Sequence, residues 1–302
     1  MALAGVNDVY ASGSQLLKAF LGLDLAASQL YRVTNYLGEQ ITTDLAQPVE
    51  HPPLVDDELI YASVDGSMIL TDSGWQEVKV GRVFTSEARI EAGKKGESQT
   101  RFRLSSSTYC AHLGEHTDFT PLFEASLGPY KSQPERLVLL SDGGVWIQNY
   151  FGQHYPKATH ILDYYHAVEH LAEWVRVQFK GSKLGAQWLD RQRDSLLSNG
   201  VSDVIEELET LSSLSRESGA CRDKLVGYYK RNRDRMQYGT YRSRGLQIGS
   251  GAIEAAHRTV VQCRMKRSGQ RWSDAGGQAM LNLRVASKSG RWQLVKDRLN
   301  SV

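Results

Sequence analysis

The stretch LVLLSDGGVWIQNYFGQHYPKATHILDYYHAVEHL, residues 137–171, indicates the fold of this 302-residue chain. It opens with four consecutive apolar residues, the pattern of a strand that is covered on both faces. The turn signal Ser-Asp-Gly-Gly then interrupts the run and places Asp142 at its end. A short amphipathic stretch and a second strand follow, and this strand ends in Asp163 and His166. Polar residues just past the carboxyl ends of strands commonly carry the chemistry of open α/β sheets. The stretch therefore predicts a catalytic site at the carboxyl ends of these two strands.

The composition is that of an ordinary soluble globular protein, with 41% hydrophobic and 23% charged residues. No run of 18 apolar residues predicts a membrane span, and the start MALAGVNDVY lacks the basic and apolar regions of a secretory signal. Cys110, Cys221 and Cys263 are widely spaced and never form C-x-x-C. This cysteine usage indicates a reducing cytoplasm and argues against disulfides and structural zinc.

The net charge of +2 is unevenly distributed along the chain. Residues 217–302 contain 18 Lys and Arg against 6 Asp and Glu, a net of +12, which leaves −10 on residues 1–216. A basic C-terminal third is typical of polyanion binding, although a solvated basic face without a partner has the same composition.

Residues 1–56 are predicted to form an N-terminal helical segment that ends in a proline-containing loop. Residues 14–42 show helical periodicity in two parts, which Gly22 separates. The predicted apolar faces consist of Leu16, Leu17, Phe20 and Leu21 in the first helix and of Leu30, Val33 and Leu37 in the second. The pair predicts either a helix-turn-helix or a helical hairpin packed on the core, and Arg32 is the only basic residue of the second helix.

Residues 57–180 are predicted to form the first part of a catalytic core. In its first part, alternating apolar and polar residues predict antiparallel strands. A helix follows, and then the two strands of residues 137–171 described above. The predicted elements are strands at 59–70, 75–85 and 100–113, a hairpin loop at 91–98 and a helix at 118–130.

Residues 181–248 contain helical patterns with polar breaks, so we assign them to an all-helical insertion. Residues 249–302 then complete the core. Ser250 is a candidate N-cap for a helix that runs to about residue 266, and a second helix is expected at 274–288. The apolar face of the first of these helices consists of Ile253, Ala256, Val260 and Cys263.

This order of elements is that of an RNase H-like domain, an α/β fold with a mixed five-stranded sheet and flanking helices. Its chemistry needs carboxylates inside the first strand, at the end of the fourth strand and on the last helix. The chain has Asp65, Asp142 and Glu254 at these places. Two Mg²⁺ ions roughly 4 Å apart would stabilise the attacking and leaving oxygens of an in-line phosphoryl displacement. Mg²⁺ accepts carboxylate oxygens together with water and substrate phosphate.

Each carboxylate also has a purely structural alternative. Asp65 and Gly66 are typical hairpin-turn residues, and Asp142 with two glycines is a typical strand-to-loop turn. Glu254 could instead complement the N-terminus of a helix. The positions of the three carboxylates taken together favour the catalytic interpretation.

Two longer motifs carry a resemblance to a known family. These are DYYHAVEHL at residues 163–171 and GSGAIEAAHRTVVQCRMKRSGQRWS at residues 249–273. With them the chain resembles the bacterial insertion-sequence transposases of the DDE type, in particular the ISKra-type family, which is related to mutator-like elements. The resemblance covers roughly residues 14–288, and a shorter N-terminal region than in that group predicts a short or truncated member.

The resemblance implies that Asp65, Asp142 and Glu254 are catalytic and bind Mg²⁺, for which Mn²⁺ can substitute. It also implies an Asp/Cys-x-x-His motif, represented here by Asp163 and His166. The implied partners are double-stranded DNA, as transposon ends and as target, and further copies of the chain on that DNA. The implied location is the cytoplasm, in association with the nucleoid.

Two histidines lie at and just after the end of the predicted strand that carries Asp163. We expect His166 to contact the scissile phosphate or to orient a metal-bound water, and a hydrogen-bonded pair with Asp163 at the strand end is the alternative. His170 would share the helical face of His166. Without a cysteine pair or an H-E-x-x-H motif, the sequence disfavours a zinc site.

The predicted DNA contacts follow the catalytic glutamate in a basic stretch. They are Arg258, Arg264, Lys266, Arg267, Arg271 and Trp272. The basic side chains would contact phosphates, and the tryptophan would either stack on an unpaired base or pack in the core.

The sequence therefore predicts a DNA transposase, which cleaves a strand at a transposon end with water and joins the freed 3′-OH to target DNA. One alternative is an RNase H-like nuclease without strand joining, and another is a catalytically silent DNA-binding protein. A glycosidase that uses Asp142 and Glu254 is disfavoured by the basic C-terminal third and by the lack of an aromatic-rich sugar cleft.

Overall fold

The computed structural model describes residues 1–91, 102–249 and 251–300. The strands of these residues are β1 Ile60–Thr71, β2 Gly74–Thr85, β3 Arg89–Glu91, β4 Phe102–Leu104, β5 Thr108–Leu113, β6 Leu137–Ser141 and β7 Thr159–Leu162. The helices of the first 180 residues are α1 Ala2–Asn7, α2 Tyr10–Leu21, α3 Ala27–Gln40, α4 Thr42–Leu45, α5 His116–Leu127, α6 Val145–His154 and α7 Tyr164–Phe179. The remaining helices are α8 Lys183–Leu197, α9 Val201–Thr210, α10 Arg216–Asn232, α11 Tyr238–Ser243, α12 Gly251–Ala256, α13 Cys263–Met265, α14 Asp274–Lys288 and α15 Gln293–Asn300.

The protein is of the α/β class, with a mixed five-stranded sheet and flanking helices. The strand order is β5-β2-β1-β6-β7, and β3 and β4 form a separate antiparallel pair. Strand β2 is antiparallel to both β1 and β5, whereas β6 and β7 are parallel. The strand predicted at 100–113 is thus two strands, β4 and β5, that belong to different sheets. The predicted hairpin loop at 91–98 and the predicted N-cap Ser250 lie outside the described residues, apart from Glu91.

The chain divides into two compact units. Unit 1 consists of residues 1–137 and 251–302, and unit 2 consists of residues 138–250. The division falls within strand β6, whereas the sequence suggested divisions near residues 56, 180 and 248.

The N-terminal helices of unit 1 pack against its C-terminal helices and form hydrogen bonds with them. Leu30 and Leu37 of α3 are buried, and α3 packs closely against α14. The Asn282 amide nitrogen donates a hydrogen bond of 3.0 Å to the Gly38 carbonyl oxygen, and Arg284 Nη1 donates one of 3.0 Å to the Val6 carbonyl. This arrangement matches the helical-hairpin alternative for residues 14–42.

The predicted apolar face of α2 is wrong. The Phe20 side chain is 80% exposed and that of Leu21 is 64% exposed. Helix α2 buries Gly13 instead, and a Cβ atom at that position would lie 3.1 Å from a methyl carbon of Leu30. The close approach of the two helices at this glycine turns a different face of α2 toward α3. Leu16, Phe20 and Leu21 are exposed, and Leu17 is half-buried.

A π-helical turn, His257–Gln262, interrupts the helix that the sequence predicts to run to residue 266. Ile253, Ala256 and Val260 are buried as predicted, but Cys263 is exposed and Arg264 is buried in its place. A π-turn holds one more residue than an α-turn, so the buried face moves by one position along the chain. This shift explains why the prediction for the last turn is wrong.

Unit 2 contains the strand β6 from Val138 onward, its parallel neighbour β7 and the helices α6–α11. Trp174 of α7 is fully buried and packs edge-on against Trp188 of α8, with ring centroids 5.1 Å apart. The buried Gln178 side chain donates a hydrogen bond of 2.9 Å to the Ser212 carbonyl, which ties α7 to the connection between α9 and α10. Between residues 183 and 243 every regular secondary-structure element is a helix, in agreement with the helices predicted for this part of the chain.

None of the helices in the described ranges is both long enough and apolar enough to cross a membrane.

Candidate active site

Asp65 lies in the middle of strand β1 and faces Val80 of β2 in the strand register. The hairpin turn between β1 and β2 is formed further along, between the paired residues Thr71 and Gly74. The hairpin-turn alternative for Asp65 is therefore wrong. Asp65 Oδ1 accepts a hydrogen bond of 2.7 Å from the Gly66 amide, and its side chain is 30% exposed. A regular strand thus fixes the backbone of this carboxylate while part of it remains accessible.

His257 lies against Asp65, a contact that was not predicted from the sequence. Its Nε2 is 3.3 Å from Oδ2 of Asp65, and its side chain is 5% exposed. Neither ring nitrogen makes a hydrogen bond of normal geometry within the described residues. Buried polar groups are usually hydrogen-bonded, so a buried imidazole at ion-pair distance from a carboxylate and without a hydrogen bond of normal geometry needs an explanation, and a functional role is one. His257 also begins the π-turn, and such turns are frequent at functional sites.

Glu254 is exposed in the first turn of α12 and precedes His257 by three residues. Helix α12 packs against β1 and β2, and Arg82 Nη1 of β2 donates a hydrogen bond of 2.6 Å to the Ala252 carbonyl. The contact between His257 and Asp65 therefore joins the helix that carries Glu254 to the strand that carries Asp65. Glu254 and His257 are three residues apart, and residues at this spacing lie on the same face of a helix. This spacing was the signal in the sequence that could have identified His257 as a neighbour of the site.

Asp142 directly follows strand β6, in unit 2. Its Oδ1 accepts a hydrogen bond of 2.9 Å from the Gly144 amide, and Gly143 has a φ of 89°, which favours glycine. The hydroxyl of Tyr228, from helix α10, donates a hydrogen bond of 2.7 Å to the Asp142 carbonyl. Burial is the main cause that raises the pKa of Tyr228 above its ordinary value, so the phenol remains a donor. Asp142 therefore forms the turn, as its structural alternative proposed, and the loop is held by a residue that sequence analysis did not identify.

Asp163 is buried and forms the N-cap of α7, because its Oδ1 accepts a hydrogen bond of 2.9 Å from the Tyr165 amide. His166, in the first turn of that helix, has its Nδ1 3.7 Å from Glu169 Oε2. Its Nε2 is 3.1 Å from Nε2 of His170, which lies one turn along the helix. Burial and the neighbouring His166 lower the pKa of His170. Asp163 has the structural role of a cap here, whereas His166 belongs to a histidine pair.

The basic residues predicted to bind DNA fall into two groups. Arg258, Lys266, Arg267 and Arg271 are exposed. Among them, Lys266 contacts the Ser67 hydroxyl on strand β1, two residues beyond Asp65, and Arg267 and Arg271 pair with aspartates. This group is exposed, and three of its members also contact side chains of the protein.

Arg264 and Trp272 form the second group, and both are buried. Arg264 is 1% exposed, its Nε donates a hydrogen bond of 2.8 Å to the Gly5 carbonyl, and its guanidinium lies over the rings of Tyr10 and Trp272. Burial lowers the pKa of Arg264. Trp272 is 6% exposed, and its indole nitrogen donates a hydrogen bond of 3.1 Å to the Met265 carbonyl. The predicted DNA contact of Arg264 is corrected to a packing role, and the core alternative for Trp272 is confirmed.

Within the described residues, no three His, Cys, Asp or Glu side chains form a group that could hold a metal ion. Mg²⁺ does not need such a group, because it commonly binds one or two carboxylates and completes its shell with water and substrate phosphates. Accessible carboxylates of this hard-ligand type are present at Asp65 and Glu254. These donors fit Mg²⁺ in chemical character.

Comparison with known proteins places most of the chain in one family. Residues 64–298 match the model of an uncharacterised protein family, UPF0236. A protein of Streptococcus gallolyticus described as "UPF0236 protein in vanSb 3'region" is 22% identical over 307 residues, which cover 97% of this chain and 63% of that protein. The chain thus spans less than two thirds of the length of this relative. The chain belongs to the family UPF0236.

Proposed function

We propose that this protein is a DDE-type DNA transposase, which cleaves and joins DNA strands at the ends of an insertion sequence. The observation that carries the proposal is the contact of 3.3 Å between Asp65, in the middle of β1, and His257, on the helix segment that follows Glu254. This contact supports a shared site for two of the three carboxylates that the family resemblance implies. The sheet order adds support, since three antiparallel strands followed by two parallel ones is the arrangement of an RNase H-like sheet. Under this proposal helices α8–α11 are the all-helical insertion.

Asp65, Asp142 and Glu254 are the proposed ligands of Mg²⁺, and Mn²⁺ would substitute for it. When bound, such ions lower the pKa of a coordinated water and stabilise the charge on the attacking and leaving oxygens of the phosphodiester. The protein holds its carboxylates in place beforehand. Asp65 is fixed by strand pairing and Asp142 by the Gly144 amide and the Tyr228 hydroxyl. Residues held in this way lose little entropy when the substrate arrives.

His257 is the proposed positioning residue for Asp65. Its ring occupies a buried position at ion-pair distance from one carboxylate oxygen, so it limits the rotation of the aspartate side chain. His166, in the first turn of α7, is proposed to contact the scissile phosphate either directly or through a metal ion that it holds.

The exposed Arg258, Lys266, Arg267 and Arg271 are the proposed contacts to DNA phosphates. Lys266 reaches Ser67 on the strand that carries Asp65, which supports a backbone contact close to the proposed site. Each phosphate that is neutralised adds about 0.9 to the slope of log affinity against log salt. We further propose that the protein acts as a homo-oligomer on paired DNA ends, in the nucleoid.

The test is strand cleavage and joining on labelled duplexes that carry the boundaries of the genetic element encoding the chain. The wild-type protein is incubated with Mg²⁺ or Mn²⁺, beside Asp142→Ala and the control Asp190→Ala, which removes a carboxylate that is 72% exposed on α8. We expect metal-dependent cleavage and joined product from the wild type and from the control, and neither product from Asp142→Ala. Cleavage without joining would identify a nuclease, and DNA binding without any metal-dependent chemistry would identify a DNA-binding protein.

A further inference from the structure

The two histidines on helix α7 form a pair with the spacing of metal ligands. His166 and His170 are four residues apart and therefore lie on the same face of the helix. Their Nε2 atoms are 3.1 Å apart. Two nitrogens that each lie about 2.0–2.1 Å from one zinc ion, at angles between 90° and 110°, are separated by about 2.9–3.4 Å. The rings already have the separation that chelation of a single ion requires.

The environment of each ring favours this orientation. His166 Nδ1 faces the Glu169 carboxylate at 3.7 Å, so the proton of this ring is favoured at Nδ1 and Nε2 is left as an electron-pair donor. A carboxylate behind a histidine ligand is the usual outer-shell arrangement of zinc sites. The ring of His170 packs edge-on against Tyr228, with centroids 4.8 Å apart, and this contact restricts its rotation. The segment His166-Ala167-Val168-Glu169-His170 has the H-x-x-E-H order, the reverse of the H-E-x-x-H motif whose absence counted against zinc.

One member of the pair, His170, also lines a cleft. A cavity of about 550 Å³ lies between α7 and α10, and its lining includes His170, Glu173, Glu217, Cys221 and Tyr228. Glu173 comes next after His166 and His170 on the same face of α7. Within the described residues no third His, Cys, Asp or Glu side chain is grouped with the pair, so water or a substrate group would have to complete the shell of an ion bound there.

We propose that His166 and His170 chelate a transition-metal ion of the Zn²⁺ class, with the Glu169 carboxylate as the outer-shell partner of His166. Imidazole nitrogen suits Zn²⁺, Cu²⁺ and Ni²⁺ and is a poor ligand for Mg²⁺, so this site differs in metal preference from the proposed carboxylate site. In the unliganded pair, the Nε2–H of one ring donates a hydrogen bond to Nε2 of the other. On binding, that proton moves to Nδ1 of its own ring, and both Nε2 lone pairs are directed at the ion.

The test is calorimetric titration of the full-length chain with ZnCl₂ in the absence of DNA, at pH 7.5. The variants are His170→Gln, Glu169→Gln and the control His154→Gln, which removes an exposed histidine in the last turn of α6. We expect one strong site per chain in the wild type and in the control, at least tenfold weaker binding in His170→Gln, and about tenfold weaker binding in Glu169→Gln. Circular dichroism melts without metal establish that each variant is folded.

Equal zinc affinity in the wild type and in His170→Gln would overturn the proposal, as would wild-type binding that is lost in His154→Gln instead. Co²⁺ provides a second readout, because visible absorption of the bound ion reports its ligands directly. An unchanged Co²⁺ spectrum in His170→Gln would exclude the pair as ligands. Since no DNA or Mg²⁺ is present, these results are independent of whether the protein is a transposase.

Discussion

Gly38 is the position where the packing of the N-terminal helices on the C-terminal helices can be tested most sharply. A Cβ atom at Gly38 would lie 2.7 Å from the carbonyl carbon of Ala279 on α14, and closer still to the carbonyl oxygen. Ordinary contacts of this kind begin at 3.4 Å, so the carbonyl carbon alone requires α3 and α14 to separate by about 0.7 Å, and the closer carbonyl oxygen requires more. The obstacle is backbone, which cannot rotate out of the way as a side chain can.

We expect Gly38→Ala to lower the free energy of unfolding by about 2 kcal/mol. Overpacking against a rigid neighbour costs about 3 kcal/mol at the upper end of its usual range. The gain in helix propensity from glycine to alanine offsets about 1 kcal/mol of that cost. A loss of this size corresponds to a fall in Tm of about 4–8 °C for a unit of this length.

Gly152→Ala is the matched control. Gly152 also lies within a helix, α6, but a Cβ atom there would have no neighbour within 4 Å. This variant should be more stable than the wild type by about 0.5–1 kcal/mol. The assay is thermal and urea unfolding of both variants, followed by circular dichroism. A Gly38→Ala protein as stable as the Gly152→Ala control would refute the close packing of α3 on α14.

Further predictions concern thiol reactivity and DNA affinity. Cys263 is exposed and should react first with a thiol reagent, followed by the half-buried Cys221. Burial raises the pKa of Cys110 to about 12, so this thiol should react only after unfolding. Rapid labelling of Cys110 in the folded protein would contradict its burial. Arg258→Ala should weaken DNA binding and reduce the salt slope by about 1, as measured by fluorescence anisotropy at several salt concentrations. Arg264→Met should leave that slope unchanged, since its guanidinium is buried, and a loss of slope in this variant would restore Arg264 as a phosphate contact.

Much of the fold follows from local sequence patterns. The four apolar residues before Asp142 correctly indicated the buried strand β6, and alternation correctly indicated the long hairpin of β1 and β2. Helix α14 begins and ends at the predicted residues, because Ser273 caps it and its apolar spacing is regular. These elements are determined by residues that are near one another in the chain.

The remaining features depend on contacts between distant parts of the chain. The π-turn at His257 moves Arg264 into the core, and regular helical periodicity cannot anticipate an inserted residue. The hydrogen bond from Tyr228 to Asp142 joins residues that are 86 positions apart. The contact of His257 with Asp65 likewise depends on how α12 packs against the sheet. Sequence patterns identified the acidic residues of the candidate site, whereas the side chains that hold them became apparent only in three dimensions.

We propose that the carboxylates of Asp65, Asp142 and Glu254 serve one metal-dependent reaction that joins DNA strands. The decisive assay is strand transfer from a duplex whose transposon end is already cut and carries a 3′-OH. We expect joined product with Mg²⁺, and none when the end carries a 3′-deoxy nucleotide, when EDTA is added or when Asp65→Asn replaces the wild type. Joined product from Asp65→Asn, or product from the 3′-deoxy end, would rule out this role of the carboxylates.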